Sequence, residues 1–375
     1  MKKQICRICG QELFPEALLE LKNMPAAAQN FPTKETLSED HGMDLELRQC
    51  SCCGVIQLTN PPVPYFRDVI RAAGCSPEMR EFRLKQFSQW IRKYHLQDAG
   101  ILEIGCGKGE YLDIMREAGG EVYGTEHAAD SAAVCRAHGL PVEEVYFEHG
   151  DERLTNAPFG GFFILNWLEH IPDLRTFLRG VRGNLTADAA GLIEVPNFDM
   201  MRKHGQVAEF TSDHLYYFTE DTLRTTLECC GFEVLFCRPV WYDYILSAEV
   251  RRKTPMDASL FLRRQERLCR EITDFVDRYR KIAVWGAGHQ ALAVLAMTEV
   301  REKICYVVDS SPFKQGKFTH ATHLPIMPPE TLKSDPPEAI LVMCAGFSDE
   351  VARIIRERYD TAIPLAILRE DHLEA

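Results

Sequence analysis

Three glycines at alternate positions follow an apolar segment in the sequence ILEIGCGKGE, residues 101–110. The first four residues predict a buried strand, and Gly105, Gly107 and Gly109 predict a turn before a helix. Glycine is required where the backbone adopts a positive φ or approaches a ligand closely. The free N–H groups at the start of the helix face this turn. The sequence therefore predicts a binding crevice at the carboxyl end of the strand.

Two acidic residues indicate which ligand binds in this crevice. Glu103 lies inside the predicted strand, and Glu126 ends the next predicted strand, residues 121–125. A dinucleotide site has the pattern G-x-G-x-x-G, whereas this loop has G-x-G-x-G, and Glu103 would repel a pyrophosphate. Glu103 suits a cationic amino-acid group, and Glu126 can accept both ribose hydroxyls. The set resembles the site of class I S-adenosylmethionine (SAM) methyltransferases; the alternative is a strand–turn–helix with exposed acids.

Two histidines have the chemistry to move a proton near this crevice. The segment NWLEHIPD starts at Asn166, which follows the fourth predicted strand and can contact the amino-acid part of SAM; His170 lies four residues on. In EFTSDHLYYFT, His214 directly follows Asp213. Histidine can take a proton at neutral pH, and Asp213 can hold its tautomer or raise its basicity. Each histidine can also be a packing residue.

Four cysteines form two C-x-x-C pairs, Cys6 with Cys9 and Cys50 with Cys53. Four thiolates are the ligand set of a structural zinc ion, because such a site leaves no open position for catalysis. Cys52 is spare in this arrangement. The alternatives are buried thiols without a metal and a redox role, which no thioredoxin-like context supports.

Composition and charge limit the function. The chain has 375 residues, 46% of them hydrophobic and 26% charged, and a net charge of −12. The acidic balance disfavours a nucleic-acid partner, and no apolar run approaches the roughly 20 residues that span a bilayer. The sequence start has no apolar signal segment, so we expect a cytoplasmic protein whose 14 cysteines are thiols or metal ligands. We expect a small-molecule substrate; the oligomeric state stays open.

Short apolar strands alternate with helical stretches through the centre of the chain, which predicts a parallel, doubly wound sheet. A helix is predicted over residues 77–94, capped by Ser76, with an apolar stripe of Phe82, Phe87, Trp90 and Ile91. The predicted strands are residues 101–104, 121–125, 142–146, 162–166, 191–195 and 233–238.

The last part of the chain contains a second glycine turn. Gly286, Gly288 and Ala291 form G-x-G-x-x-A after a predicted strand, and Asp309 ends the next strand. This pattern predicts a second Rossmann-like unit and leaves NAD binding open, because such loops also occur in domains that bind no dinucleotide.

The sequence resembles the three-domain sugar C-methyltransferases that act on nucleotide-linked keto-deoxysugars, over nearly its whole length. The motifs that carry this resemblance are the cysteine pairs, NMPAAAQNFP, ILEIGCGKGE, NWLEHIPD, EVPNF, DHLYYFT, the GAG turn, VVDSSPFKQGKF and THLPI. The resemblance implies a zinc-binding domain, a central SAM domain and a C-terminal domain that helps enclose the nucleotide-sugar.

The implied reaction begins with removal of a proton next to a keto group. His214 would be the general base, the resulting enolate would attack the SAM methyl, and His170 would polarise an oxygen of the sugar. The family's catalytic segment commonly reads Tyr-x-Glu-His, but Thr211 and Asp213 occupy the first and third positions here. Tyr216 or Tyr217 could supply the missing hydroxyl.

The predicted fold class is α/β with three parts. The division is a zinc-binding domain (1–64), a SAM-dependent methyltransferase domain (65–240), a linker helix (241–279) and a C-terminal Rossmann-like substrate-binding domain (280–375). The leading function is SAM-dependent C-methylation of a nucleotide-linked keto-sugar. The alternatives are O- or N-methylation of another small molecule, an NAD-binding oxidoreductase, and a zinc-dependent nucleic-acid binder.

Overall fold

The computed structural model describes residues 4–29, 31–68, 75–359, 362–370 and 372–375. Residue 30 of the NMPAAAQNFP motif and the start of the predicted zinc-binding domain at residues 1–3 lie outside them. The chain divides into two compact units, residues 1–254 and 255–375. No helix of the described residues is long and apolar enough to cross a bilayer.

The first unit contains six helices and eleven strands in its described part. The helices are α1 (Pro77–Tyr94), α2 (Glu110–Glu117), α3 (Ala129–Ala137), α4 (Leu174–Gly183), α5 (Phe198–His204) and α6 (Glu220–Cys229). The strands are β1 (Leu19–Met24), β2 (Met43–Gln49), β3 (Ile56–Leu58), β4 (Gly100–Ile104), β5 (Glu121–Glu126), β6 (Val142–Glu144), β7 (Phe159–Leu165), β8 (Leu185–Pro196), β9 (Tyr216–Tyr217), β10 (Phe232–Val240) and β11 (Ile245–Arg252).

The main sheet has the order β10-β11-β8-β7-β4-β5-β6. Strands β8, β7, β4, β5 and β6 pair in parallel, as the alternating pattern predicts. The prediction of a wholly parallel sheet was wrong at one edge, because β10 and β11 form an antiparallel hairpin and β11 pairs with β8. Strand β11 falls in the segment that sequence reasoning gave to the linker; its alternating apolar residues mark a strand that was missed.

Helix α1 confirms the predicted bounds and cap, since the Ser76 hydroxyl accepts the Met79 N–H at 3.1 Å. Phe87, Trp90 and Ile91 are buried, while Phe82 is only half-buried. Arg83 is the unexpected member of this face: it is fully buried and forms an ion pair with Glu194 of β8. A charged residue on a core face gives no apolar signal, so the sequence pattern did not indicate it.

A second, four-stranded sheet joins the N-terminal segment to the rest of the first unit. Its order is β1-β2-β3-β9, and every pairing is antiparallel. Buried Cys6, Ile8 and Cys50 belong to the same apolar core as Leu215 and Phe218. The N-terminal segment therefore shares a core with the part of the first unit that contains the main sheet.

The second unit is a smaller α/β fold. Its elements are α7 (Ser259–Val276), β12 (Ile282–Trp285), α8 (His289–Met297), β13 (Ile304–Val308), β14 (Ile326–Met327), α9 (Thr331–Ser334), β15 (Ala339–Val342), α10 (Ser348–Arg358), β16 (Leu365–Leu368) and β17 (Leu373–Glu374). The sheet order is β14-β13-β12-β15-β16-β17, parallel except for the last pair. The predicted linker helix is α7, which buries Ile272, Phe275 and Val276 in the core of this unit.

Candidate active site

The glycine loop connects β4 to α2 and is tied to the neighbouring strand. The N–H groups of Gly105 and Cys106 donate to the carbonyl of Thr125 at 2.9 and 3.0 Å. Gly105 has φ +71°, and a Cβ at this position would lie 2.7 Å from the ring of Trp167. Only glycine fits there, because a side chain would meet both backbone strain and an aromatic ring.

The carboxylate of Glu126 binds the backbone of the same loop. One carboxylate oxygen accepts the N–H of Gly107 at 2.7 Å and the other accepts that of Ala128 at 2.9 Å. The buried Glu103 lies on β4, in register with Gly124 of β5. The structure thus brings Glu103, the three glycines and Glu126 to one edge of the sheet, as the sequence indicates.

Asn166 follows β7 at this edge. Its N–H donates to the carbonyl of Glu194 at 2.8 Å, and its backbone takes a positive φ of 49°. The turn places the next residue, Trp167, against Gly105. A 3₁₀ helix, Leu168–His170, comes directly after, so the histidine follows the loop contact by three residues.

His170 and His214 lie against each other, although 44 positions separate them in the chain. Their ring centroids are 4.8 Å apart with an interplanar angle of 77°. Nδ1 of His170 is 2.9 Å from the carbonyl oxygen of Asp213. A carbonyl can only accept, so Nδ1 carries the proton of the neutral ring and Nε2 carries none.

Burial sets the protonation state of this pair. It lowers the pKa of His170 to about 4. Burial and, to a lesser extent, the neighbouring His170 lower the pKa of His214 to about 3. Both rings are neutral at pH 7, because desolvation disfavours the imidazolium. The pKa of His214 is therefore lowered, whereas a carboxylate partner would raise it.

The carboxylate of Asp213 has other partners. Its Oδ1 accepts the hydroxyl of Tyr65 at 2.8 Å and the N–H of Ala28 at 3.2 Å. Burial and this hydrogen bond raise the pKa of Tyr65 to about 12. Asp213 therefore links the N-terminal segment to the histidine loop. Sequence reasoning missed Tyr65, because a residue 148 positions from its partner leaves no local spacing signal.

The hydroxyl of Tyr217 lies beside Thr211, the position at which the catalytic segment of the similar C-methyltransferases commonly has a tyrosine. The hydroxyl of Tyr217 accepts the N–H of Thr211 at 3.0 Å and donates to its carbonyl at 3.2 Å. The Tyr217 and His214 ring centroids are 6.2 Å apart. Tyr216 points elsewhere, since its hydroxyl donates to the carbonyl of Pro172 at 3.0 Å.

The two cysteine pairs converge as predicted. The Sγ atoms of Cys6 and Cys53 are 3.7 Å apart, and those of Cys9 and Cys50 are 3.4 Å apart. All four sulfurs lie within 4.8 Å of one another. Tetrahedral zinc with Zn–S bonds of about 2.3 Å separates its thiolates by roughly 3.8 Å, so the four ligands fit this ion. Cys52 is exposed and outside the set.

This cysteine segment supports the strand that follows His214. Strand β3 pairs with β9 through Ile56 with Tyr217 and Gln57 with Tyr216. The N–H of Leu58 donates to the carbonyl of Leu215 at 3.0 Å. The backbone next to His214 is therefore fixed by the segment that the four thiols close.

In the second unit, the acid that would bind a nucleotide ribose is already engaged. The carboxylate of Asp309 accepts the N–H of Ala287 at 2.9 Å, the N–H of Ser311 at 2.8 Å and the ammonium of Lys314 at 2.9 Å. These contacts hold the glycine turn in the way that Glu126 holds its loop.

Comparison with known proteins matches two regions of the chain. Residues 78–235 match the model of a methyltransferase domain, and residues 259–363 match that of the C-methyltransferase C-terminal domain. The C-methyltransferase NovU of Streptomyces niveus is 23% identical over 92% of this chain and 90% of its own length.

Two further matches cover shorter regions. The ubiquinone biosynthesis O-methyltransferase of Bordetella avium is 33% identical over 24% of this chain and 41% of its own. A SAM-dependent methyltransferase structure from Aquifex aeolicus covers 48% of this chain and 95% of its own at 16% identity, with a TM-score of 0.38. The two domain matches and NovU support a C-methyltransferase; the chain is an enzyme.

Replacing Gly105 with alanine should destabilise the protein by about 2–5 kcal/mol, since it adds backbone strain and an overlap with Trp167. Gly107→Ala is the matched control: φ is +55°, and nothing lies within 4 Å of the added Cβ. It should cost only about 1–2 kcal/mol. Urea unfolding of both variants measures the difference; equal costs would show that Trp167 does not restrict the loop.

Proposed function

We propose that this enzyme transfers the methyl group of SAM to a carbon next to the keto group of a nucleotide-linked deoxysugar. The observation that carries the proposal is the contact between His170 and His214, two neutral, desolvated imidazoles. His170 lies three residues beyond Trp167, which packs on the glycine loop. The likeness to NovU over most of both chains supports carbon as the acceptor.

SAM supplies an electrophilic methyl group on a sulfonium. The residues that would hold it are Glu103, Gly105, Gly107, Gly109, Glu126 and Asn166. The fit is supported by the open space above Gly107 and by the two acids at this edge. Because each oxygen of Glu126 binds one N–H group, each retains a lone pair for a ribose hydroxyl.

His214 is the proposed general base. A base must be unprotonated, and burial keeps this ring neutral at all pH values above about 3. The ring takes the proton from the carbon, and the C–H electron pair becomes the enolate. The negative enolate then stabilises the new imidazolium, because the two charges form together in a desolvated site. Proton removal by a positioned base contributes roughly 10²–10⁴ to the rate.

The roles of Asp213 and His170 are positional in this proposal. Asp213 holds the His214 loop through Tyr65 and Ala28. His170 packs on His214 and is oriented by the carbonyl of Asp213. The polarisation of an oxygen by His170, expected from the family resemblance, does not suit this tautomer, because neutral Nε2 has no proton to donate.

We also propose a structural zinc ion at Cys6, Cys9, Cys50 and Cys53. The sulfur spacing supports it, and so do the N–H groups of Ile8 and Cys52, which point at two of the sulfurs at 3.4 Å. Four protein ligands leave no position for a substrate, so the ion would stabilise the segment that holds β9.

The second unit is proposed to bind the nucleotide part of the acceptor. Phe313, Phe318 and Phe347 are 70%, 64% and 70% exposed and follow the carboxyl ends of β13 and β15, the two strands that flank β12. Exposed aromatic rings are suited to stacking on a base. The ion pair of Asp309 with Lys314 occupies this carboxylate beyond its backbone contacts, so the NAD alternative is the weaker interpretation.

Methyl transfer to oxygen is the second candidate. A local match supports it: the ubiquinone biosynthesis O-methyltransferase is 33% identical over 24% of this chain. An oxygen acceptor needs its own proton removed but not the proton on the neighbouring carbon. Exchange of that carbon-bound proton therefore separates the two functions.

Incubation with a nucleotide-linked keto-deoxysugar in heavy water should exchange the proton next to the keto group. His214→Asn should slow this exchange by about 10²–10⁴. His149→Asn, which changes an exposed histidine, is the control. Proton NMR of the sugar measures the rate. Methylation without any exchange, or exchange that His214→Asn leaves unchanged, would contradict the assignment.

Cys53→Ser should remove bound zinc and reduce methyl transfer, because the segment that holds β9 loses a ligand. Structural zinc contributes on the order of 10 kcal/mol to folding in small zinc-dependent domains, so the thermal stability should also fall. Cys52→Ser is the matched control, since Cys52 is exposed and outside the ligand set. Elemental analysis measures the zinc; a Cys53→Ser protein with full zinc content would refute the site.

A further inference from the structure

A buried carboxyl group that the proposed reaction does not use lies beside the two histidines. Glu169 has a side chain only 2% exposed, and its Oε1 is 3.8 Å from Nε2 of His170. Its Oε2 has no hydrogen-bond partner among the described residues. One ligand-type atom from each of Glu169, His170 and His214 lies within 4.8 Å of the others. A buried carboxyl group with one oxygen that lacks a hydrogen bond requires an explanation in such a cluster.

The hydrogen bond of His170 shows where the proton of this pair resides. Because Nδ1 donates to the carbonyl of Asp213, Nε2 presents a lone pair toward Glu169. An ionised carboxylate facing that lone pair would be repelled and would lack solvation. A neutral carboxylic acid has neither cost, and because 3.8 Å is too long for a hydrogen bond to Nε2, its proton can be donated to a substrate.

Burial acts in the same direction. It raises the pKa of Glu169 to about 8, against a smaller opposing effect of its own backbone N–H. It lowers the pKa of His170 to about 4. At pH 7 the carboxyl therefore holds the proton and the imidazole does not. His214 and Tyr244 are also near Glu169, and burial raises the pKa of Tyr244 to about 12.

We propose that Glu169, as a neutral carboxylic acid, donates the hydrogen bond that stabilises the keto oxygen of the acceptor as it becomes an enolate oxygen. This inference rests on the proposed function, because it names the electrophilic group of the same reaction. His170 cannot have this role with Nδ1 bound to Asp213. Donors aimed at a developing oxyanion are worth roughly 10²–10³ in rate.

The distance between His214 and Glu169 suits a base and a donor that act on one substrate. A keto oxygen lies roughly 2.4 Å from the neighbouring carbon, from bonds of about 1.5 and 1.2 Å. A base about 3 Å from this carbon and a donor about 3 Å from the keto oxygen can be less than 5 Å from each other. His214 and Glu169 meet this requirement.

The atoms and charges of the step balance. The C–H bond breaks, its proton goes to His214, and its electrons form the enolate while Glu169 keeps its O–H bond. The enolate carbon then forms a bond to the methyl carbon, the methyl–sulfur bond breaks, and its electrons neutralise the sulfonium. The carbonyl re-forms, and His214 releases its proton to solvent.

Two substitutions test the role of this acid. Glu169→Gln keeps a hydrogen-bond donor that does not titrate, so it should retain methyl transfer within about tenfold of the original enzyme. Glu169→Leu removes the donor and should lose about 10²–10³. Activity of the unmodified enzyme should fall as the pH rises through about 8, because the acid form is lost. Glu169→Gln should lack this fall.

The opposite results would overturn the inference. They are a Glu169→Gln variant as inactive as Glu169→Leu, or one that keeps the fall above about pH 8. Activity that requires an added divalent metal and disappears in Glu169→Gln would make the residue an anionic ligand instead.

A measurement without substrate separates this inference from the proposed function. The infrared spectrum of the full chain should contain the carbonyl band of a protonated carboxylic acid at neutral pH. This band should disappear in Glu169→Gln and at about two pH units above the pKa of Glu169. Its absence would refute the neutral acid even if the enzyme methylates a keto-sugar. Failure to methylate any keto-sugar would refute the proposed function. The infrared spectrum would then still test whether Glu169 is protonated.

Discussion

The antiparallel pairing of β3 with β9 is the contact on which the candidate active site depends. This pairing joins the N-terminal segment, in which the four cysteine thiols converge, to Tyr216 and Tyr217, which lie just beyond His214. The hydrogen bond from Leu58 to Leu215 and the contacts of Asp213 with Tyr65 and Ala28 reinforce the same connection. A histidine on an irregular loop is thereby held in one orientation against His170. The N-terminal segment thus has a part in the geometry of the site, and its proposed zinc ion would act at a distance from the chemistry.

Desolvation is the second physical theme of this site. Three titratable side chains that would differ in charge in water are all neutral at pH 7, because burial disfavours each charged form. A neutral base and a neutral acid can lie close together without repulsion, and neither must be neutralised before it acts. The charges that appear during the proposed reaction, on the imidazole and the enolate, form as a pair. Burial therefore lowers the basicity of His214 in the free enzyme while strengthening its attraction to the enolate.

Local patterns in the sequence predict much of this arrangement. The glycine loop, Glu103, Glu126 and the four cysteines were identified from spacing, because strand ends and paired C-x-x-C units bring their side chains together by simple rules. Contacts that depend on the tertiary fold were not predicted. Adjacency in sequence allows Asp213 to hold the tautomer of His214, whereas its carboxylate binds Tyr65 and its carbonyl fixes His170. The antiparallel β11 and the buried Arg83 were missed for the same reason, since their partners are far away in the chain.

The most direct test of the account is the position of the transferred methyl group. The enzyme would be incubated with a nucleotide-linked keto-deoxysugar and SAM whose methyl carbon is carbon-13. The account predicts a product in which NMR shows this carbon bonded to a sugar carbon adjacent to the keto group. A label attached to oxygen or nitrogen would contradict the central claim, because neither product requires the carbon-bound proton that His214 is proposed to remove.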